Sequence, residues 1–162
     1  MREADRADVA TLVGLMREFY AEAGYQLVEA RASAAFAELT GRPDLGRVWL
    51  IERDGGAPGE AAEASEAAGY IVVTFVFAME HGGLAAVIDD FYVRPEARGE
   101  GLGTAALAEV RRACEGLGVR ALRVEVGADN AVAQAVYRSA GLEPLPGHEL
   151  MQLALAPPSH AT

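Results

Sequence analysis

The segment between Leu84 and Val126 constrains the fold more than any other part of the chain, because it predicts a strand, a turn, a helix and a second strand in succession. Apolar residues, several of them β-branched or aromatic, make up most of Leu84–Val93, and the sequence LRVEV closes the segment. Between them, Gly101–Leu117 carries an apolar stripe at helical spacing. Two strands joined by a helix form a crossover, so we expect them to be parallel strands of one sheet.

The rest of the chain predicts strands and helices that surround this unit. Tyr70–Met79 and Leu84–Val93, joined by an HGG turn, predict an antiparallel hairpin. Apolar periodicity predicts the remaining elements, which are helices over Asp5–Ala21, Arg31–Thr40 and Asn130–Gly141 and strands over Arg47–Arg53 and His148–Leu155. We therefore predict one α/β domain over residues 1–162, with a mixed, mostly antiparallel sheet flanked by helices. A mobile loop is expected at about residues 54–68 and a frayed tail at about residues 157–162.

Composition narrows the possible functions. The 162 residues are 51% apolar and 23% charged, as in a soluble globular domain, and no apolar run is long enough for a membrane helix. The charged start, MREADRADVA, predicts no secretory signal, and the single Cys114 allows no internal disulfide, so we expect a cytoplasmic protein. Three histidines and one cysteine are too few for a Cys/His zinc site, and we expect no metal. The net charge of −10 argues against nucleic acid as a partner and suits a cationic substrate, although acidic surfaces are also common in soluble proteins.

Three closely spaced glycines, Gly99, Gly101 and Gly103, follow Arg98 and precede the crossover helix. The first N–H groups of a helix lack internal acceptors, and glycines let a large anion approach them. The segment therefore predicts a diphosphate site. It is not a P-loop, because no lysine is present, and the dinucleotide fingerprint fails because Thr104 stands where its third glycine belongs.

The same glycines fit a third pattern, [Q/R]-x-x-G-x-[G/A], through Arg98, Gly101 and Gly103. Around it, VIDDFYVRPEARGEGLGTAAL, LRVEV and NAVAQAVYRSAGLEP follow in the order of a strand, a pyrophosphate loop, a helix, a strand and a helix with the spacing N-x₆-Y-x₃-G. Here the chain resembles the GCN5-related N-acetyltransferase (GNAT) superfamily, whose members bind acetyl-CoA. The resemblance extends over about Gly69–Leu155.

The resemblance implies how acetyl-CoA is held. Backbone N–H groups of the loop and the first helical turn would hold the CoA diphosphate, at Arg98, Gly99, Glu100, Gly101, Leu102, Gly103 and Thr104. In the family, the end of the preceding strand, here Tyr92 and Val93, pairs its backbone with the pantetheine arm as an added strand would. Asn130 either caps the following helix or hydrogen-bonds the same arm.

The resemblance also implies catalytic roles. Tyr137 stands where many members carry a general acid that protonates the CoA thiolate; its alternative role is packing in the core. Asp89 and Asp90 interrupt an apolar strand, and successive side chains of a strand point to opposite faces. The family implies Asp89 as the base or substrate anchor, directly or through water, and either acid could instead be structural. Expected contacts with the acceptor come from Asp90, Tyr20, Tyr25 and Glu125.

These implications together predict the transfer of an acetyl group from acetyl-CoA to a primary amine of a small molecule, by direct attack in a ternary complex and without a metal. One alternative is a protein acetyltransferase acting at an N-terminus or a lysine. Another is an acyl-CoA-binding sensor without catalysis. Small amines, polyamines, aminoglycoside-like cations and lysine side chains remain open as acceptors. A homodimer through the apolar HELMQLAL segment is a further expectation.

Overall fold

The computed structural model describes residues 1–53, 66–153 and 155, and within them the chain forms a sheet with helices on both faces. The strands are β1 (Arg2–Glu3), β2 (Gly46–Arg53), β3 (Glu66–Ala78), β4 (Gly83–Val93) and β5 (Ala121–Val124). The helices are α1 (Val9–Ala23), α2 (Glu29–Gly41), α3 (Leu102–Gly116) and α4 (Ala131–Ser139). None of the described helices combines the length and the apolarity that crossing a bilayer requires.

The sheet has the predicted topology. Its strands lie in the order β1-β2-β3-β4-β5, and every neighbouring pair is antiparallel except β4 and β5, which are parallel. The helix α3 connects these two strands, as the crossover predicted. The α/β class and the mixed, mostly antiparallel sheet are therefore confirmed.

The parallel strands β4 and β5 separate part of the way along their length. Their pairing ends at Ile88 and Val124, while β4 continues to Val93. At the same point β4 contains a bulge, because Val72 of β3 pairs with Asp90 and the next residue of β3 pairs with Ile88, which leaves Asp89 as the extra residue. The result is a wedge between β4 and β5 that opens beside Asp89 and Asp90.

Strand periodicity divides the core into two layers. On one face, α1 and α2 pack on residues that include Tyr70, Val72 and Tyr92. On the other face, α3 and α4 pack on their sequence neighbours, which include Ile71 and Val73. Because successive side chains of a strand point to opposite faces, both faces of β3 are apolar and buried. The wedge between β4 and β5 joins the two layers.

Two sequence predictions need correction. The loop predicted at about 54–68 is shorter, because β3 begins at Glu66, and the rest of that loop and the tail at 157–162 lie outside the described residues. The strand predicted over His148–Leu155 is wrong for its described residues, which have no regular secondary structure. Leu150, Met151, Leu153 and Leu155 are mostly exposed. Alternating apolar residues favour a strand, but a strand forms only where a neighbouring edge supplies ladder hydrogen bonds, and the described residues of this segment pair with no strand.

Candidate active site between β4 and β5

The glycine loop, residues 98–103, leads into the first turn of α3, and the N–H groups of that turn are available. Gly99 and Gly101 have φ values of 81° and 83°, in the left-handed region that favours glycine, and Gly101 is the N-cap of α3. The first helical hydrogen bond runs from the N–H of Ala105 to the carbonyl of Gly101, at 3.0 Å. The N–H groups before Ala105 therefore precede the helical ladder, and in the described part of the chain no side chain caps them.

The third glycine of the loop has a different role. Gly103 does not have a positive φ, and a Cβ built there would lie 3.4 Å from Cζ of Phe91. Gly99 and Gly101 thus allow the turn and have open space beside them, whereas Gly103 lets the first turn of α3 lie close to Phe91 of β4. These features fit a diphosphate, because the anion is bound by backbone N–H groups and by the positive end of the helix dipole.

Arg98 of the glycine loop contacts three neighbours in this structure. Its Nη2 lies 2.7 Å from Oε2 of Glu22, its Nε donates to the carbonyl of Val93 at 2.8 Å, and its guanidinium lies 5.8 Å from the centre of the Tyr92 ring. Hydrogen bonding to Arg98 lowers the pKa of Glu22. The guanidinium beside the predicted diphosphate site is thus paired with a carboxylate of α1.

Tyr92 and Asn130, which are also predicted to bind acetyl-CoA, both have structural contacts within the chain. The Tyr92 side chain is buried and stacks on Phe19, with ring centres 5.5 Å apart, so only its backbone faces the wedge edge of β4. Asn130 accepts a hydrogen bond from the N–H of Ala133 at 3.0 Å and caps α4. That cap confirms one of its two expected roles, and a contact with the pantetheine arm stays a prediction.

The two adjacent carboxylates of β4 have different surroundings. Asp89, the bulge residue, is exposed, whereas Asp90 is partly buried and accepts a hydrogen bond from the Tyr70 hydroxyl at 3.0 Å. Burial raises the pKa of Asp90 to about 6, the bond from Tyr70 lowers it, and the charge of Asp89 raises it. Asp90 is therefore the carboxylate whose proton affinity suits proton transfer near neutral pH.

Tyr137 reaches the wedge from the opposite layer. It lies in α4, is 9% exposed and packs near Phe91 of β4, with ring centres 6.2 Å apart. Burial raises the pKa of Tyr137 to about 12, and the charge of Asp90 contributes to that rise. The phenol therefore stays protonated at neutral pH and lies within the electrostatic range of Asp90.

The residues expected to contact the acceptor do not all lie together. The Tyr20 ring, at the end of α1, packs edge-on against Phe19 and Tyr25, and burial followed by the charges of Asp90 and Asp89 raises the pKa of Tyr20. Tyr25 beside it is 65% exposed. Tyr20 and Tyr25 are thus on the Asp90 side of the sheet.

Glu125 lies elsewhere. It is exposed, just past the end of β5, and lines a groove of about 1170 Å³ along the outer edge of that strand. Tyr137 also borders this groove, but Tyr20 and Asp90 do not. Glu125 is therefore on the Tyr137 side of the wedge, apart from the two tyrosines of α1.

Sequence reasoning missed two residues of this site. Nothing in the sequence marks Tyr70 as more than a core residue, because only the β3–β4 register places its hydroxyl beside Asp90. The sequence does contain a signal for Glu22. Glu18 and Glu22 are four residues apart, as are Arg94 and Arg98. In the structure each of these carboxylates forms an ion pair with one of the two arginines. In the described residues, no group of three or more His, Cys, Asp or Glu side chains is arranged to hold a metal ion.

Comparisons with known proteins agree with this geometry. The sequence model of the Acetyltransferase (GNAT) family matches residues 14–142. The crystal structure of an integron cassette protein from the mobile metagenome of Cole Harbour Salt Marsh is 50% identical, with a TM-score of 0.79, and the match covers 97% of this chain and 91% of that chain. Among curated proteins, none matches this chain.

More distant solved structures share the fold. A predicted acetyltransferase with acetyl-CoA from Clostridium acetobutylicum has 16% identity and a TM-score of 0.74, over 93% of this chain and 94% of that chain. An aminoglycoside acetyltransferase from an uncultured soil metagenomic sample, in complex with sisomicin, has 15% identity and a TM-score of 0.71, over 94% of this chain and 95% of that chain. At these identities the similarity shows the fold alone.

Proposed function

Because this chain belongs to the acetyltransferase (GNAT) family, we propose that it transfers an acetyl group from acetyl-CoA to a primary amine of a small molecule. The observation that carries the proposal is the position of Asp90 and Tyr137 on opposite sides of one wedge, beside the glycine loop. One group has the proton affinity of a base near neutral pH, and the other remains a proton donor. General acid–base catalysis of amine acylation uses one group of each kind.

The glycine loop would bind the diphosphate of acetyl-CoA, and acetyl-CoA itself supplies the acetyl group as a thioester. The N–H groups at the start of α3 and the open space beside Gly99 and Gly101 support this placement. Arg98 would exchange Glu22 for a phosphate oxygen, since a guanidinium pairs well with either anion. The wedge edge of β4, at Tyr92 and Val93, would bind the pantetheine arm through backbone groups.

Asp90 would act as the general base. An alkylammonium must lose a proton before its nitrogen can attack, and a carboxylate with a pKa of about 6 is mostly ionised at neutral pH and can accept that proton, directly or through water. Asp89, which the sequence assigned to this role, is exposed and would instead attract the cationic acceptor. Asp90 is favoured because its burial and its bond from Tyr70 tune its proton affinity.

Tyr137 would act as the general acid. When the amine takes the acetyl group, the leaving CoA thiolate needs a proton, and the Tyr137 phenol is protonated up to a pH of about 12. Its position on α4 against Phe91 supports this role, because Phe91 lies on the segment of β4 that borders the wedge.

The acceptor would be a small cationic amine. Two carboxylates and the rings of Tyr20 and Tyr25 form the side of the wedge that faces α1, and a cation is favoured near carboxylates and aromatic faces. The structural relative that binds sisomicin is an aminoglycoside acetyltransferase, which is consistent with an amine of this kind. A lysine or an N-terminus of a protein is the second candidate, because Tyr25 is largely exposed and leaves this side open.

Release of free CoA thiol from acetyl-CoA, measured with a panel of amines, tests the proposal. The panel holds polyamines, aminoglycosides, simple alkylamines, a lysine peptide and N-terminal peptides. We expect turnover with at least one small amine and a slower rate with the peptides. Faster turnover with peptides would favour a protein acetyltransferase. Tight binding of acetyl-CoA without turnover on any acceptor would favour a sensor.

We further propose that two copies of the chain associate through their C-terminal segments. Leu150, Met151, Leu153 and Leu155 are 71–90% exposed, and burying such side chains contributes roughly 1.5–3 kcal/mol each. Sedimentation at micromolar concentration, compared with a Met151→Glu, Leu153→Glu variant, tests this. A wild-type chain that sediments as a monomer would contradict it.

A further inference from the structure

Tyr70 is the largest side chain that is fully buried, and it has one polar atom. Its ring packs edge-on against Phe36, with centres 5.9 Å apart, and lies 6.4 Å from the Tyr92 ring. The hydroxyl donates to Oδ2 of Asp90 at 3.0 Å. Both ends of the side chain are therefore held, the ring by packing and the hydroxyl by a carboxylate.

Packing alone does not explain a tyrosine at this position. A phenylalanine would fill the same space and would bury no polar atom, whereas a buried hydroxyl is unfavourable unless it is hydrogen-bonded. Burial, first, and the charge of Asp90 raise the pKa of Tyr70, so its hydroxyl stays a donor throughout the physiological range. What the hydroxyl adds is a fixed donor for one oxygen of Asp90.

We propose that Tyr70 is a positioning residue for acetyl transfer, whose hydroxyl holds the Asp90 carboxylate in one orientation toward the acceptor amine. The inference rests on the proposed function, in which Asp90 is the base. Tyr70 does not contact the acceptor itself, because it is fully buried in β3. It acts through Asp90, which extends from the bulged strand β4 at the edge of the wedge.

In the described part of the chain, four titratable groups interact with Asp90. Asp89 lies in its own strand, Tyr70 faces it from β3, Tyr20 from α1 and Tyr137 from α4. Of these, Asp89 favours the protonated form of Asp90, and Tyr70 favours the ionised form by donating a hydrogen bond. Removing Tyr70's hydroxyl and removing Asp89's charge should therefore move the titration of Asp90 in opposite directions.

The first measurement follows Asp90 directly and needs no activity. The carbon-13 shift of the Asp90 carboxyl, titrated by NMR, gives its pKa in the wild-type chain, in Tyr70→Phe and in Asp89→Asn. Because a hydrogen bond to a charged group is lost, we expect Tyr70→Phe to raise the pKa by about one unit. Asp89→Asn should lower it. An unchanged titration in Tyr70→Phe would overturn the proposal whether or not the chain acetylates amines.

The second measurement tests the consequence for catalysis. The acidic limb of the pH profile of kcat/KM should move to higher pH in Tyr70→Phe by the same amount as the NMR titration. Phe36→Leu loosens the packing of the Tyr70 ring without removing its hydroxyl, so it should leave the limb in place. If the pKa of Asp90 shifts in Tyr70→Phe while the acidic limb of kcat/KM stays in place, the positioning role is overturned and Asp90 is not the base. Equal limb shifts in both variants would mean that Tyr70 is only a packing residue.

Discussion

Arg98 of the glycine loop is bound to Glu22 of α1, at 2.7 Å, and Arg94 is bound to Glu18 one helical turn earlier, at 2.8 Å. Two carboxylates four residues apart on a helix thus meet two arginines four residues apart on the segment between β4 and α3. The same helix carries Tyr20 between the two carboxylates. Arg98, which the proposed function assigns to the CoA diphosphate, therefore also binds α1, the helix on the acceptor side of the wedge.

We expect Glu22→Gln to bind acetyl-CoA more tightly, because Arg98 no longer has to leave a carboxylate to reach a phosphate. Exposed ion pairs are weak, so the gain should be about two- to fivefold in Kd. Calorimetry with acetyl-CoA measures it, and Glu18→Gln is the matched control. That variant removes the neighbouring tether, whose partner Arg94 lies outside the glycine pattern, and should leave Kd unchanged. Equal affinities for all three chains would mean that Arg98 keeps Glu22 when the co-substrate binds.

Gly103→Glu should abolish acetyl-CoA binding in a protein that still folds. Gly103 does not have a positive φ, and a Cβ there would make an ordinary contact with Cζ of Phe91 at 3.4 Å. A glutamate in the first turn of α3 also suits the helix dipole, so the fold should tolerate it. The same charge would repel a diphosphate at the helix end. Gly103→Gln has the same size without the charge and should lose less affinity. If a folded Gly103→Glu protein bound acetyl-CoA like the wild type in calorimetry, the diphosphate site would lie elsewhere.

Much of this fold could be predicted from the sequence because the signals were local. The crossover of β4, α3 and β5 follows from hydrophobic periodicity, and the turn before α3 follows from Gly99 and Gly101, which the structure holds at positive φ. The C-terminal strand failed for the opposite reason. Apolar residues do alternate in this segment, but a strand also needs the edge of another strand to pair with. Hydrophobic periodicity carries no information about that partner.

The site was harder to predict where the register between two strands decides which side chains contact each other. Alternation predicts opposite faces for Asp89 and Asp90, and it does not indicate which of them meets a buried hydroxyl. The bulge at Asp89 and the pairing of β3 with β4 put Asp90 beside Tyr70, and neither feature is visible in a single sequence. The family resemblance favoured Asp89 because a motif gives positions along the sequence and no information about the surroundings of each side chain.

Asp90→Asn and Asp89→Asn should have different effects on the pH dependence of turnover. If Asp90 is the base, its loss should reduce kcat/KM about 10²–10⁴-fold at neutral pH, with recovery toward high pH as the amine loses its proton unaided. Asp89→Asn should retain most activity and move the acidic limb to lower pH, because a like charge next to Asp90 is removed. Steady-state profiles from about pH 5 to 10 check both. The reverse pattern would make Asp89 the base.

The ionised Asp90 carboxylate should destabilise the folded chain as the pH rises above the ordinary pKa of aspartate. Asp90 has a folded pKa of about 6 against an ordinary value of 3.8, so the folded state binds its proton more tightly and stability falls as the pH rises between those values. With a discount for partial exposure, Asp90→Asn should become more stable relative to the wild type by about 1–2 kcal/mol between pH 4.5 and 7.5. Urea unfolding at the two pH values measures it. A difference that does not change with pH would mean that Asp90 titrates normally.

Tyr137→Phe should reduce kcat while acetyl-CoA binds as before. The substitution keeps the ring and its packing on Phe91, so the folded chain should change little. It removes one proton donor, and such donors typically contribute about 10²–10⁴-fold to the rate.

A fall in kcat with unchanged Kd for acetyl-CoA would identify an interaction made mainly in the transition state. Acceptor amines of different basicity give a second test of Tyr137. An acid that protonates the leaving thiolate should contribute the same factor to the rate with every amine. Single-turnover rates with two amines of different basicity, compared between Tyr137→Phe and the wild type, measure this. A loss below about fivefold, far under the range of general acids, would leave Tyr137 as a packing residue and assign the thiolate's proton to water.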